Sequence, residues 1–213
     1  DDPIFFPNIN WIDLMLKERA FQTRHNANVS GGTDFVKYFI SAGYFSQDAL
    51  FDDEVVKEVL EYDPRMTYNR YNFRGNFDFD ITKKLKASIS LSSQIDLTRA
   101  PSRAGSGASS FRHFTSPIYY ANPYMYAGIV DSKVVTLEET NTPNPITRLY
   151  GDGYSKDFKN YITSTVRFDY EVINGLKLHG KFSYWNLAYN RRVYNKNLIE
   201  YRPWRLEDGS VFY

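Results

Sequence analysis

Residues 70–97 of this chain read RYNFRGNFDFDITKKLKASISLSSQIDL, and polar and apolar side chains alternate through most of the stretch. Successive side chains of a β-strand point to opposite faces, so this alternation predicts strands with one apolar and one polar face. The apolar face consists of Tyr71, Phe73, Phe77, Phe79, Ile81, Leu85, Ala87, Ile89, Leu91, Ile95 and Leu97. The stretch therefore predicts a β-hairpin.

The turn of this hairpin fixes its register. If residues 82–84 form the turn, Ile81 faces Leu85 and every pair of opposed residue numbers adds up to 166. Apolar residues then face apolar residues, and on the polar face Asp80 faces Lys86. A slip of one residue would place polar against apolar side chains along the whole ladder, so this register is the expected one.

The length of the two strands indicates their environment. Each runs to about a dozen residues, whereas strands of soluble proteins usually have about 5–6 residues and a tilted membrane-spanning strand needs roughly 9–11. The stretch therefore predicts part of an all-β protein, a large antiparallel transmembrane β-barrel. Four charged residues of the polar face are then predicted to face the lumen: Arg74, Asp78, Asp80 and Lys86. We interpret them as lumen-lining or plug-packing groups rather than a substrate site.

The composition limits the classes of function. The 213 residues carry a net charge of +1, which gives no electrostatic reason to expect nucleic-acid binding. The chain has no cysteine, and its three histidines are too scattered to form a metal site, so no metal or other cofactor is expected. Mean hydropathy is −0.51 and no long apolar run exists, which predicts no transmembrane helix. A membrane barrel can still be polar on average, because only one face of each strand meets lipid.

Two further hairpins flank the central one. Strands are predicted over residues 21–29 and 35–45 around a turn at residues 30–33, and over 162–172 and 176–184 around a loop at 173–175 with a left-handed Gly175. Short helical turns are expected at residues 11–16 and 54–60. Residues 98–157 and 186–213 are expected to be irregular loops. Short turns thus alternate with long connections, which is typical of outer-membrane barrels.

Aromatic residues collect where the strands approach the long connections, which predicts an aromatic girdle at the membrane interface. The members of this predicted girdle are Tyr44, Phe45, Tyr68, Tyr71, Tyr161, Tyr184 and Trp185. A run of tyrosines in the longest connection is a candidate surface for contact with substrate or with a lid protein, because tyrosine offers a flat apolar ring with a polar tip. Its candidate residues are Tyr119, Tyr120, Tyr124 and Tyr126.

Four segments resemble one known family in the same order along the chain. HNANVSGGTDFVKYFISAGYFSQDALF (residues 25–51) is similar to the SVSGG-turn stretch of SusC/RagA-type TonB-dependent outer-membrane transporters. FPNINWIDLM (6–15) resembles the segment that precedes it, RYNFRGNFDFDITKKLKASISLS (70–92) the family's RYNFRSNLDIDLT hairpin, and INGLKLHGKFSYW (173–185) a later strand. None of these motifs alone is specific for the family, but the occurrence of all four in the family's order is specific.

The resemblance implies a fragment of a 22-stranded barrel that carries about strands 2 to 7. Residues 1–213 would then form a partial barrel domain, with the plug, the TonB box, the first strand and the remaining barrel absent. It further implies TonB-dependent active import of a large nutrient, a glycan or an oligopeptide, across a bacterial outer membrane. The implied partners are a SusD-like surface lipoprotein acting as a lid, the TonB complex, outer-membrane lipids and the substrate.

Two other classes of protein are alternatives to this interpretation. A soluble β-rich glycan-binding module would show strands of about half this length and long loops at both ends of the sheet. A β-rich hydrolase would need a carboxylate pair or a Ser/His set in a cleft; Asp78 and Asp80 are neighbours of this kind, but with a nearby lysine they indicate a structural ion network. We therefore expect no enzymatic activity.

Overall fold

A computed structural model describes residues 2–102, 115–137 and 144–213. Its strands are β1 (Gln22–Gly32), β2 (Val36–Asp48), β3 (Thr67–Asp80), β4 (Leu85–Pro101), β5 (Tyr126–Val130), β6 (Lys133–Thr136), β7 (Tyr154–Ile173), β8 (Leu176–Tyr194), β9 (Glu200–Tyr201), β10 (Trp204–Arg205) and β11 (Val211–Phe212). Its α-helices are α1 (Trp11–Met15), α2 (residues 115–120) and α3 (Pro145–Tyr150), and a 3₁₀ turn covers Glu54–Val56. Among the described residues no helix is long and apolar enough to cross a membrane.

Six strands form one antiparallel sheet in the order β1-β2-β3-β4-β7-β8. Their lengths rise from 11 residues in β1 to 20 in β7 and 19 in β8. The expected all-β architecture is confirmed, and the six strands do not close into a barrel.

The predicted register of the central hairpin is confirmed. Asp80 is paired with Lys86 and Phe77 with Ile89, as the turn at residues 82–84 requires. The Thr82 hydroxyl accepts hydrogen bonds from the backbone N–H groups of Lys84 and Leu85, at 3.2 and 2.9 Å. This side chain therefore closes the turn that sets the register of both strands.

The hairpin of β7 and β8 also has the predicted register, with Glu171 paired with Lys177. Gly175 has a φ of 87°, in the left-handed region that glycine adopts without steric cost. A bulge between Glu171 and Ile173 lets the turn at residues 174–175 keep the apolar residues on one face. The end predicted for β8 at Tyr184 is wrong, because the strand continues to Tyr194.

The first turn lies three residues beyond the predicted start. Gly31 and Gly32 belong to β1, and residues 33–35 make the turn. A threonine closes this turn as well, because the Thr33 hydroxyl accepts hydrogen bonds from the backbone N–H groups of Phe35 and Val36, both at 3.2 Å. Gly31 leaves room in the strand for its cross-strand partner, because a Cβ there would lie 2.7 Å from the Tyr38 hydroxyl and that ring would have to shift.

The longest connection is not irregular, contrary to the prediction for residues 98–157. The strands β4 and β7 extend into it until Pro101 pairs with Tyr154. Its described residues form α2, the hairpin of β5 and β6, and α3, whose N-terminus is capped by the Asn144 side chain. Residues 103–114 and 138–143 of this connection lie outside the described part of the chain.

This connection packs with other segments around a shared cluster of buried side chains, which we call the loop core. The Ile9 N–H donates to the Pro123 carbonyl, the Lys17 N–H to the Leu50 carbonyl, and β9 pairs with β6. The loop core comprises Trp11, Met15, Val56, Ile118, Tyr126, Val134, Ile146, Leu149 and Tyr150. Buried apolar side chains of the described residues are thus concentrated beyond the end of the sheet at which the long connections lie.

Candidate functional site

One face of the sheet is apolar and open; we call it the apolar face. Twelve large side chains on it are at least 37 % exposed: Val29, Ile40, Phe73, Leu91, Leu97, Phe158, Ile162, Phe168, Tyr170, Leu178, Phe182 and Tyr184. Large exposed apolar patches are rare on soluble monomers and mark surfaces that contact a partner or a membrane. This face therefore requires an apolar environment.

The opposite face, which we call the polar face, carries all four charges that the sequence singled out. Arg74, Asp78, Asp80 and Lys86 alternate with the apolar residues of β3 and β4. The Lys86 Nζ lies 2.8 Å from the Asp80 carboxylate, which supports the interpretation as an ion network. Asp169 on β7 extends this network, with an ion pair to Arg167 at 3.0 Å and a hydrogen bond to the His179 imidazole.

A second charged band crosses the polar face nearer the long connections. The Arg70 Nε lies 2.8 Å from the Asp96 carboxylate, and the Gln94 amide donates to the same carboxylate at 3.1 Å. Asp96 is only 8 % exposed, so these two donors hold it in place. Between the two bands lies a row of uncharged groups, in which paired strands contribute Asn26, Gly43, Asn72, Gln94, Tyr161 and Leu187.

The predicted aromatic girdle is divided between the two faces. Tyr44 and Tyr71 are paired on the apolar face, with ring centroids 5.1 Å apart. Tyr184, paired with Ser164, lies on the same face. Phe45, Tyr68, Tyr161 and Trp185 instead lie on the polar face, because each is an odd number of residues away from the apolar side chains of its own strand. For these four residues the girdle prediction is wrong.

The tyrosines of the long connection also separate. Tyr119, Tyr120 and Tyr124 are 60, 79 and 64 % exposed and remain candidates for a contact surface. Tyr126 is 1 % exposed and packs edge-on against Trp11 with ring centroids 5.8 Å apart, so it belongs to the loop core. The prediction of Tyr126 as a contact residue is wrong, because a buried ring offers no surface to a substrate or a lid protein.

The sequence did not single out an exposed tryptophan near Tyr124. Trp204 is 65 % exposed and lines a depression together with Tyr124, Phe5 and Arg202. It lies in the small hairpin of β10 and β11, where Gly209 makes the turn with a φ of 85°. The Pro-Trp and Asp-Gly dipeptides were the only signals for this hairpin. We call Tyr119, Tyr120, Tyr124 and Trp204 the loop patch.

Buried hydroxyls strengthen the connection between the loop segments. The Tyr62 hydroxyl donates to the Tyr150 backbone carbonyl, and burial raises the pKa of Tyr62 to about 12. Burial also raises the pKa of Tyr150, whose hydroxyl donates to the Asp52 carbonyl at 3.0 Å. The Arg65 guanidinium, 2.9 Å from the Asp63 carboxylate, lowers the pKa of Asp63 to about 2.

The arrangement supplies surfaces rather than reactive groups. Within residues 2–102, 115–137 and 144–213, no three His, Asp or Glu side chains are placed to hold a metal ion. Asp78 and Asp80 lie on a strand with Lys86 beside them, not in a cleft. What this geometry can do is line a passage with its polar face and present aromatic rings at its loop end.

Comparison with curated proteins finds TonB-dependent receptors. The chain is 30 % identical over 91 residues to TonB-dependent receptor P26 of Formosa agariphila, a match that covers 42 % of this chain and 8 % of that protein. It is 32 % identical over 84 residues to TonB-dependent receptor P3 of the same organism, covering 39 % and 7 %. The chain thus spans less than a tenth of these relatives' length. No family model matches it.

Comparison with solved structures finds two structures of the RagAB peptide importer. The RagAB peptide importer in its closed-closed state superimposes with a TM-score of 0.53 at 17 % identity, over 83 % of this chain and 19 % of that one. A second structure of the RagAB peptide transporter gives 0.50 at 18 % identity, over 82 % and 18 %. At this identity the likeness shows the fold. The sequence resemblance and the fold expected from it are confirmed.

Proposed function

Because the chain resembles a segment of SusC/RagA-type TonB-dependent transporters, we propose that it forms wall and outer loops of an outer-membrane barrel. The barrel actively imports a large nutrient, a glycan or an oligopeptide. The observation that carries the proposal is the sheet itself. Its strands of 11 to 20 residues present an open apolar face on one side and a polar face on the other. Short turns lie at one end, and long connections lie at the other.

The same observation argues against the soluble glycan-binding module. A soluble sheet needs only about 5–6 residues a strand and covers its apolar face with a second layer. Here the loop core lies beyond the end of the sheet, and each of the six strands keeps at least one exposed large apolar side chain on the apolar face. Lipid can cover such an apolar face, provided that further strands pair with the two edge strands and so satisfy the hydrogen bonds of their backbone groups.

In this proposal the chain performs no chemical step. Energy reaches the transporter through the TonB complex, and a SusD-like surface lipoprotein covers the outer opening. The RagAB peptide importer supports an oligopeptide as one of the two substrate classes. The loop patch is the part of this chain that we assign to contact with the substrate or the lipoprotein.

Uptake by the full-length transporter tests the proposal. In a bacterium that carries it, uptake of the nutrient should require both this gene and an intact TonB complex. Replacing Tyr119, Tyr120 and Tyr124 together by Ala should lower uptake or lipoprotein co-purification at least tenfold, since a Tyr hot spot can contribute about 2 kcal/mol. The control Tyr170→Ala removes an exposed tyrosine at the end of the sheet where the short turns lie, away from the loop patch. Unchanged uptake and co-purification in the triple variant would refute the loop-patch assignment, and uptake without TonB would refute the function.

A further inference from the structure

Three basic side chains lie in one row across the apolar face. Arg99 on β4 is paired with Lys156 on β7, which is paired with Arg192 on β8. Neighbouring strands are about 4.8 Å apart, so the three Cα atoms span only about 10 Å. We call them the basic row. Together with Leu97 and Phe158 they line one depression, whose lining also includes Asn190 and Asp157. The Asp157 carboxylate lies 3.5 Å from the Arg191 Nε, with which it pairs on the polar face.

The charges of the basic row are only partly compensated. The Arg99 guanidinium lies 3.6 Å from the Asp63 carboxylate and 4.2 Å from the ring centroid of Tyr154. Lys156 lies 5.6 Å from the same centroid, and no described carboxylate forms an ion pair with Lys156 or Arg192. Like charges directly opposite on paired strands destabilise a sheet, so this arrangement calls for an anion.

The position of the basic row along the membrane normal indicates which kind of anion it would meet. On β7, apolar-face aromatics at Tyr170 and Phe158 are twelve residues apart. At about 3.3 Å per residue and a tilt of about 35–45°, they are separated by roughly 28–32 Å along the membrane normal. The apolar band of outer-membrane barrels is about 25 Å tall and is bordered by aromatic residues. Lys156, the next residue of this face beyond Phe158, lies at the level of the lipid headgroups.

We propose that the basic row binds the phosphate of an outer-leaflet lipid. The phosphate lies between Lys156 and Arg192, and an acyl chain runs down over Leu97 and Phe158, which are 37 and 38 % exposed. Arg99, held by Asp63 and Tyr154, completes the anion site from the far side. The inference rests on the proposed membrane location and is independent of the nutrient transported.

Binding of phosphorylated lipid A to the purified full-length transporter in a non-ionic detergent tests the proposal. The variant K156Q/R192Q should bind this lipid about 30-fold more weakly, since each cation near an anionic headgroup contributes roughly a fivefold factor. Dephosphorylated lipid A should bind wild type as weakly as phosphorylated lipid A binds the variant. Inorganic phosphate at millimolar concentration should not compete, because it lacks the acyl chains.

The matched control is K159Q/K181Q, which removes two positive charges from the polar face of the same two strands. It should keep lipid affinity within twofold of wild type. Equal weakening in both variants, equal binding of dephosphorylated lipid, or full competition by inorganic phosphate would each overturn the proposal. Heat-modifiable gel migration and outer-membrane fractionation are measured in parallel. If these fail for wild type, the proposed membrane location is wrong; if they hold while lipid binding is unchanged in K156Q/R192Q, only the lipid site is wrong.

Discussion

Arginine at Leu91 should destabilise the transporter far more than arginine at the adjacent Ser90. Leu91 lies midway between Leu85 and Leu97, the two ends of the apolar stretch of β4. It is 47 % exposed and pairs with Gly75 and Ser164, so an arginine there would extend into the surroundings of the sheet rather than into a protein core. Ser90 points to the polar face.

The size of the difference follows from the proposed bilayer. An arginine facing lipid at the midplane costs about 2–4 kcal/mol, because the charge leaves water for hydrocarbon. At Ser90 the arginine lies between Asn76 and Thr165 and stays hydrated, so we expect a cost below about 1 kcal/mol, as for ordinary surface substitutions. A difference of about 2 kcal/mol changes the folded-to-unfolded ratio roughly 30-fold.

The measurement is the unfolding of the full-length protein in lipid vesicles. Urea is titrated, and the folded fraction is read from heat-modifiable gel migration. Leu91→Ala serves as the control that removes the leucine without adding charge. Equal destabilisation by Leu91→Arg and Ser90→Arg would mean that both faces are buried in protein. A larger cost at Ser90 would mean that the polar face, not the apolar face, meets lipid. Either result would refute the proposed orientation of the sheet.

Three further predictions concern the loops. Gly153→Ala should be much more destabilising than Gly175→Ala, measured by unfolding: both glycines have positive φ, but only at Gly153 would a Cβ lie 2.0 Å from a backbone oxygen, that of Tyr194. Trp11→Ala should cost the loop core about 3–5 kcal/mol and make the loops protease-sensitive while heat-modifiable migration is retained. The loops should also become protease-sensitive between about pH 10 and 12: folding raises the pKa of Tyr62 to about 12, so ionisation favours the unfolded loops in that window and stability falls as pH rises.

The sheet could be predicted because its signals are local. Alternation with a period of two fixes which residues share a face, and pairs such as Asp80 with Lys86 fix the register. The end of β8 was missed for a related reason. Beyond Tyr184 the chain continues as WNLAYNRRVY, and the alternation is reversed: Trp185, Leu187 and Tyr189 lie on the polar face, whereas Asn186, Asn190 and Arg192 lie on the apolar face. A strand that has left the apolar band no longer needs to keep its apolar residues on the lipid-side face, so following that one face ends the predicted strand at Tyr184 although the strand continues to Tyr194.

The loop core could not be predicted because its members come from distant segments without a common period. Trp11, Val56, Ile118 and Leu149 lie in four different parts of the chain and meet only in the folded structure. For the same reason the sequence could not separate Tyr124 from Tyr126. Both belong to one tyrosine-rich run, and only the hairpin of β5 and β6 turns the second into the core.

Sheet and loop core are stabilised by different environments, and Tyr154 lies at one of the places where they meet. The loop core buries its own apolar side chains and needs no lipid, whereas the apolar face of the sheet has no cover of its own. Tyr154 stacks on Tyr194 with centroids 4.7 Å apart and contacts Tyr62 of the loops at 5.3 Å. Arg99 lies against Tyr154 from the basic row. A lipid phosphate bound at that row would therefore stabilise the ends of the strands from which the loop core extends. We accordingly expect K156Q/R192Q to loosen these loops, whereas K159Q/K181Q should not.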